Sequence, residues 1–224
     1  MNTRSESKHE FPMRLNLKGR TVVVRPLATG DREHMVAFAQ ALLEDDLLFL
    51  QRDITQPAEV DAWIADDLQG RLATLVAWED DAVLGYATYE PGRARWTRHV
   101  AELRVAVAES ARGIGIGRLL LELAFEMVLD AGATKIIARM TPDQSGALRL
   151  FKRLGFEQEA VLRDHALGVG GLTHDLLVLG FHTRMHQEQR CEDCGIPVLE
   201  ALSVDGARLC SQCYELRYQE LGGG

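Results

Sequence analysis

Val107-Ala108-Glu109-Ser110-Ala111-Arg112-Gly113-Ile114-Gly115-Ile116-Gly117-Arg118-Leu119 is the stretch whose reading decides the fold of this chain. Before it, residues 99–107 alternate, with Ala101, Leu103, Val105 and Val107 on one face and Glu102 and Arg104 on the other, the pattern of a strand. After it, Leu119, Leu120, Leu123, Ala124, Met127 and Val128 recur at helical spacing until Ala131-Gly132 stops them. A strand that enters a helix through glycines aims backbone N–H groups at an anion, and the helix dipole adds to the attraction. Each charge so placed gains about 0.3–1 kcal/mol, so a pyrophosphate held there needs further contacts.

Three phosphate-binding patterns compete for the loop. A P-loop needs Gly-Lys-Ser/Thr, but Gly117 is followed by Arg118-Leu119. A dinucleotide fingerprint needs a third glycine where the chain has Arg118 or Leu120, and the acidic ribose partner after the next strand is missing. The pattern R/Q-x-x-G-x-G/A is met by Arg112, Gly115 and Gly117.

Outward from the loop, residues 1–14 read as a polar tail. Residues 21–27 form a first strand stopped at Pro26, and Asp31 offers a cap to a helix carrying Met35, Phe38, Ala39 and Leu42. A second helix spans residues 58–68. Residues 72–78 and 82–89 pair as a hairpin across Asp80-Asp81. Beyond the central helix come a strand at 134–140, a helix at 145–154, and two strands at 156–162 and from Leu176 to Phe181. Mixed order around a single βαβ unit implies an α/β sheet with helices on both faces.

The ordered set of the Glu102–Val107 strand, the 112–117 loop, the helix, the next strand and Ala147-Leu148-Arg149-Leu150-Phe151-Lys152-Arg153-Leu154-Gly155-Phe156 resembles the GNAT superfamily of N-acetyltransferases, from about Arg20 to Phe181. The resemblance implies a mixed, mostly antiparallel central sheet within residues 15–184, and acetyl-CoA as co-substrate. It places the pyrophosphate on the amides of Arg112, Gly113, Ile114, Gly115, Ile116, Gly117 and Arg118. Backbone groups of Val105 and Val107 would hold the pantetheine arm and the thioester carbonyl where strands splay. Gln144 stands where the family commonly has an asparagine that contacts the CoA arm. Phe151 stands where it often has an acidic tyrosine, so the CoA thiolate must find its proton elsewhere; Tyr86 and Tyr89 are substitutes that read better as packing.

Glu102 is the candidate general base, because an amine arriving as ammonium must lose a proton before it attacks. Several protein-acetylating members carry a glutamate at the matching place. The acceptor is a primary amine: a protein lysine, an N-terminal amine, a polyamine, an amino acid or an antibiotic all suit the sequence. His165 and a glycine-rich, mobile loop at 168–171, with Trp96, Arg98 and His99, are further acceptor-side candidates. Glu44-Asp45-Asp46 and Asp66-Asp67 could draw in a cation or simply form a solvated face.

All four cysteines lie in residues 185–224, read as a linker and a small zinc-binding module. Cys191, Cys194, Cys210 and Cys213 form two C-x-x-C pairs, and four thiolates at this spacing suit a structural, tetrahedral Zn²⁺ with no open position for catalysis. The segment resembles the DksA/TraR-type four-cysteine zinc finger, without the acid-tipped coiled coil of that family's polymerase regulators. Between Gln187 and Gly224 seven acidic residues face three arginines, the wrong sign for phosphate contacts, so a protein-docking or dimerisation role is expected of it. Rival readings make the chain an acyl-CoA sensor or a transcription-machinery adaptor working through the finger.

Composition agrees with one full domain and a small appendage: 224 residues, 46% hydrophobic, formal net charge −8. The acidic balance argues against nucleic acid as a partner. No apolar run reaches the roughly 18 residues of a membrane span, and Met1 to Glu10 lacks a secretory apolar core, so the expected compartment is the cytosol.

Overall fold

The computed structural model describes residues 10–47, 50, 52–168, 171–183, 191–193, 202–204, 206–209, 213, 214 and 217. Strands β1 (Met13–Leu17), β2 (Arg20–Pro26), β3 (Ala73–Glu79), β4 (Ala82–Pro91), β5 (Val100–Val107), β6 (Lys135–Met140), β7 (Glu157–Leu167) and β8 (Thr173–His182) form one sheet in the order β1-β2-β3-β4-β5-β6-β8-β7. Helices α1 (Arg32–Gln40), α2 (Glu44–Leu47) and α3 (Pro57–Leu68) precede β3, while α4 (Ile116–Asp130) and α5 (Ser145–Arg153) follow β5 and β6. A separate hairpin joins β9 (Leu202–Val204) to β10 (Ala207–Leu209).

Period-two alternation sorts each central strand between two cores. Leu75 and Ala77 of β3 pack with Ala101, Leu103, Leu120, Leu121, Ala124 and Ile136 beneath α4 and α5. Val76 and Trp78, one residue out of step, pack with Met35, Phe38, Val60, Trp63 and Ile64 of α1 and α3. The expected helix-on-both-faces sheet follows directly from this division. Only β5 and β6 run parallel, joined by α4; every other neighbouring pair is antiparallel.

The structure departs from the sequence reading in four places. The stretch read as a tail ends inside β1, whose Met13 and Arg14 pair with Val24 and Val23. Asp31 precedes α1 but does not cap it with its side chain. Its carboxylate accepts from the Ala28 amide at 2.8 Å and from both Arg25 Nη atoms at 2.7 Å, an arrangement that closes the preceding turn. The last two strands run longer than expected, with Leu167 still paired to Thr173, so the glycine loop is the tip of a hairpin; residues 169 and 170 of that tip lie outside the described residues. Of the acidic runs, Asp67 is buried at 7% exposure, where a solvated or cation-attracting face was expected, while Asp46 pairs with Arg112, and Asp66, paired with Arg52 and Arg71, lines the cavity described below.

Candidate active site

At the end of β5 the chain turns through residues 109–111 and enters the glycine loop. Gly113 and Gly115 take φ of +78° and +97°, and a Cβ on either would meet nothing within 4 Å. These two glycines therefore serve backbone conformation, while Gly117 serves clearance: its Cβ would stand 3.2 Å from Val107 Cγ2, where α4 packs on β5. Ile116 is buried at 1% exposure and pins the first turn of α4 into the core. Helical hydrogen bonding begins only with Leu119 N–H to Gly115 O at 3.1 Å. The amides of residues 113–117 meet no backbone acceptor among the described residues. A pyrophosphate fits that donor set.

Cations ring the loop. Arg112 pairs with Asp46, and Arg118 Nε donates to Glu122 at 2.8 Å. From the β1–β2 turn, Lys18 Nζ donates to Gly113 O at 2.8 Å and Arg20 Nη1 to Ser110 O at 3.0 Å.

Beside the loop, β5 and β6 part. They pair at Val100–Lys135, Ala101–Ile136 and Glu102–Ile137 and at no later residue. Yet β5 stays on β4 to Val107, and β6 stays on β8 to Met140. A wedge therefore opens between the two strands, wide toward the glycine loop and closed at Glu102. Val105 and Val107 lie along its β5 edge, where that strand has no ladder partner on the β6 side. Gln144 stands just before α5 and makes no side-chain cap bond.

On the opposite, α3-bearing side of the sheet lies a cavity of about 690 Å³. Glu102, Glu90, Glu59, Arg52, Arg93 and Arg139 are among its walls. Glu102 is 8% exposed. Arg104 Nη2 lies 2.5 Å from its Oε1 and Arg139 Nη2 3.2 Å from its Oε2. Oε1 is shielded from solvent beneath the Arg104 contact. Glu90, directly opposite Glu102 across β4 and β5, is held by Arg93 Nε at 2.9 Å. Two like charges facing each other across a ladder repel, and the arginines offset that repulsion.

Glu90 and Arg139 were absent from the sequence reading, which had already set Arg104 beside Glu102 on one face of the strand. Their signal was register: Glu90 and Arg104 share the Glu102 side of the alternation, but only the β4–β5–β6 pairing brings the four together. None of the acceptor-side candidates Trp96, Arg98, His99 and His165 is among the residues lining the cavity, although Thr97, beside Trp96, is. Phe151 is buried at 2% exposure, ring to ring with Phe156 at 5.0 Å, and is core packing. Tyr86 is buried between Phe38 and Trp63, and burial pushes its hydroxyl well above the ordinary tyrosine range, which makes it a poor proton donor. Burial also raises Tyr89, which packs on the α4 side.

Of the cysteines, Cys191 is 2% exposed and packs with Leu209, and Cys213 and Tyr214 join the same cluster. Cys194 and Cys210 lie outside the described residues, so the four-thiolate arrangement is not displayed. No helix among the described residues is long and apolar enough to cross a membrane.

Comparison with known proteins places this arrangement. A model of the acetyltransferase (GNAT) family matches residues 35–156. Phosphinothricin N-acetyltransferase of Streptomyces coelicolor is 26% identical over 147 residues, 64% of this chain and 86% of that one. Ribosomal-protein-alanine N-acetyltransferase from Brucella melitensis superposes with a TM-score of 0.63 at 25% identity, covering 71% of this chain and 98% of that one. The structure of yncA from Salmonella typhimurium, solved with its cofactor acetyl-CoA, gives 0.62 at 19% identity over 80% of this chain and 99% of that one. With more than half of its length matched by the family, and with the glycine loop and the parted strands within the match, the chain belongs to the GNAT family of acetyl-CoA-dependent acetyltransferases.

Proposed function

We propose that the protein moves an acetyl group from acetyl-CoA to the primary amine of a small molecule by direct attack in a ternary complex, with Glu102 as general base. The observation that carries this reading is the position of Glu102: a buried carboxylate at the closed end of the wedge, lining the cavity and flanked by Arg104 and Arg139. Amides of residues 112–118 bind the donor pyrophosphate, and the β5 edge at Val105 and Val107 holds its pantetheine arm. The thioester then lies beside Glu102, with the amine approaching from the cavity. Glu102 takes the ammonium proton, the nitrogen lone pair forms the N–C bond, and the C–S bond breaks. The nitrogen's second proton passes to water as the C–S bond breaks, and water returns a proton to the thiolate, since Phe151 has none to give.

The cavity falls within the range of small-molecule sites, about 300–1,000 Å³. Arg93 and Arg139 are 72% and 45% exposed in its wall, which favours an amine that also carries an acidic group. In the C-terminal module, the four cysteines would hold a structural Zn²⁺. Supporting this, Glu192 N–H donates to Arg208 O at 2.8 Å, and Arg208 N–H to Glu192 Oε1 at 3.1 Å. The first cysteine pair is thus tied to the strand that leads into the second. The module's expected role is docking or dimerisation.

The test is turnover and calorimetric acetyl-CoA binding in Glu102→Gln, with Gly115→Glu as the donor-site control. Glu102→Gln should lose about 10²-fold or more in kcat and keep its donor affinity; Gly115→Glu should lose the donor. Full turnover in Glu102→Gln removes the base assignment.

A further inference from the structure

Four cations surround the glycine loop, and their commitments differ. Arg112 is paired with Asp46, Arg118 with Glu122, and Arg20 with Glu79. Lys18 alone of the four spends its contact on a neutral group, the Gly113 carbonyl at 2.8 Å, and has no carboxylate partner among the described residues. An ammonium carries three donors, and the other two remain available.

Lys18 is also placed there by design of the backbone. It occupies the two-residue turn between β1 and β2 at φ +50°, followed by Gly19 at φ +84°, the doubly left-handed turn that a tight hairpin requires. Asn16 Oδ1 accepts from Gly19 N–H at 2.9 Å and fixes the turn. Arg20, just beyond it, anchors the same hairpin to Ser110 O. A lysine is a poor residue for a left-handed position, and the hairpin holds it against the loop nonetheless.

We infer that Lys18 is a phosphate ligand of the donor: its ammonium, seated on the Gly113 carbonyl beside the open amides, neutralises a CoA phosphate. This rests on the loop being the donor site. The β1–β2 hairpin thereby becomes part of the donor site, although it lies outside the family-matched residues 35–156.

The experiment compares wild type, Lys18→Met and Lys18→Arg by calorimetric titration with CoA and dephospho-CoA, and by KM with acetyl-CoA and acetyl-pantetheine. Methionine keeps the backbone demand of the turn similar and removes the ammonium, with its charge and its hydrogen bond to Gly113 O. Lys18→Met should weaken CoA about tenfold, with Lys18→Arg recovering most of it. Its KM for acetyl-pantetheine, which has no phosphate, should stay at the wild-type value. A penalty that persists with dephospho-CoA assigns the contact to the pyrophosphate; one that disappears assigns it to the 3′-phosphate. Equal CoA affinity in wild type and Lys18→Met overturns the inference, as does an equal penalty on acetyl-pantetheine, which would make Lys18 a structural latch. Wild type without measurable CoA binding overturns the donor-site reading itself.

Discussion

Glu102 owes its character to neighbours contributed by three strands. Arg104, on its own strand, and Arg139, across the closed end of the wedge, hold one carboxylate from two sides, and Glu90 opposes it on β4. Glu102 itself was readable, because alternation sets it opposite the apolar face of β5. Glu90 and Arg139 were not: a charged residue on a strand reads as solvated until its strand neighbours are known. Arg139 gives the sharpest expectation at this scale. In Arg139→Gln, the KM of an acidic amine acceptor should rise about tenfold, while that of its counterpart lacking the acid group changes little. Steady-state kinetics on such a matched pair measures it, and equal shifts for both would remove Arg139 from acid recognition.

The elements divide into those written in the pattern and those imposed by packing. Helix α4 was legible from its apolar spacing from Leu119 onward, whereas its start at Ile116, inside the glycine motif, was not. Strand β1 was equally patterned, with Met13, Leu15 and Leu17 against Arg14 and Asn16, but five residues beside a polar terminus gave too short a window. The β7–β8 hairpin overran its expected limits because its outer half is held by cross-strand polar contacts, such as Thr173 Oγ1 to Asp164 Oδ1 at 2.7 Å, and by little apolar burial. The two kinds of glycine in the loop predict two kinds of variant. Gly115→Ala forces a left-handed residue and should cost about 1–2 kcal/mol in urea unfolding. Gly117→Ala has an ordinary φ and only Val107 Cγ2 to displace, so its cost should be smaller. Further along the sheet, Glu159 bridges β7 to Lys135 of β6 at 2.6 Å and to His182 of β8 at 3.0 Å. The hydrogen bond from Lys135 is the main reason its carboxyl lies below the ordinary glutamate value of 4.5, and His182 adds to it. A carboxyl lowered by folding stabilises fully above its unfolded value and loses that contribution as pH falls through the folded one. The difference in Tm between wild type and Glu159→Gln should therefore shrink between about pH 6 and about pH 3. A constant difference would mean the ion pairs contribute nothing.

At the scale of the molecule, the order of elements sufficed to foresee helices on both faces and one parallel pair, because right-handed crossover through α4 leaves little choice. It could not show where β5 and β6 separate, since that depends on the two strands following different partners. The proposed C-terminal zinc site rests on the sequence alone, on four cysteines of which two lie outside the described residues. Elemental analysis of the purified chain should find one zinc per molecule. Chelation should melt the module while leaving the unfolding of the sheet domain unchanged, as read by calorimetry; a zinc-free preparation with the same profile would dispose of the metal. The three-pair seam between β5 and β6 has its own consequence. On the proposed reading, nucleotide and acceptor never share a compartment: the sheet is a partition with a slot, and only a slender thioester arm passes through it. An inhibitor joining both substrates would have to be threaded, not docked, and the length of its linker would report the thickness of the wall.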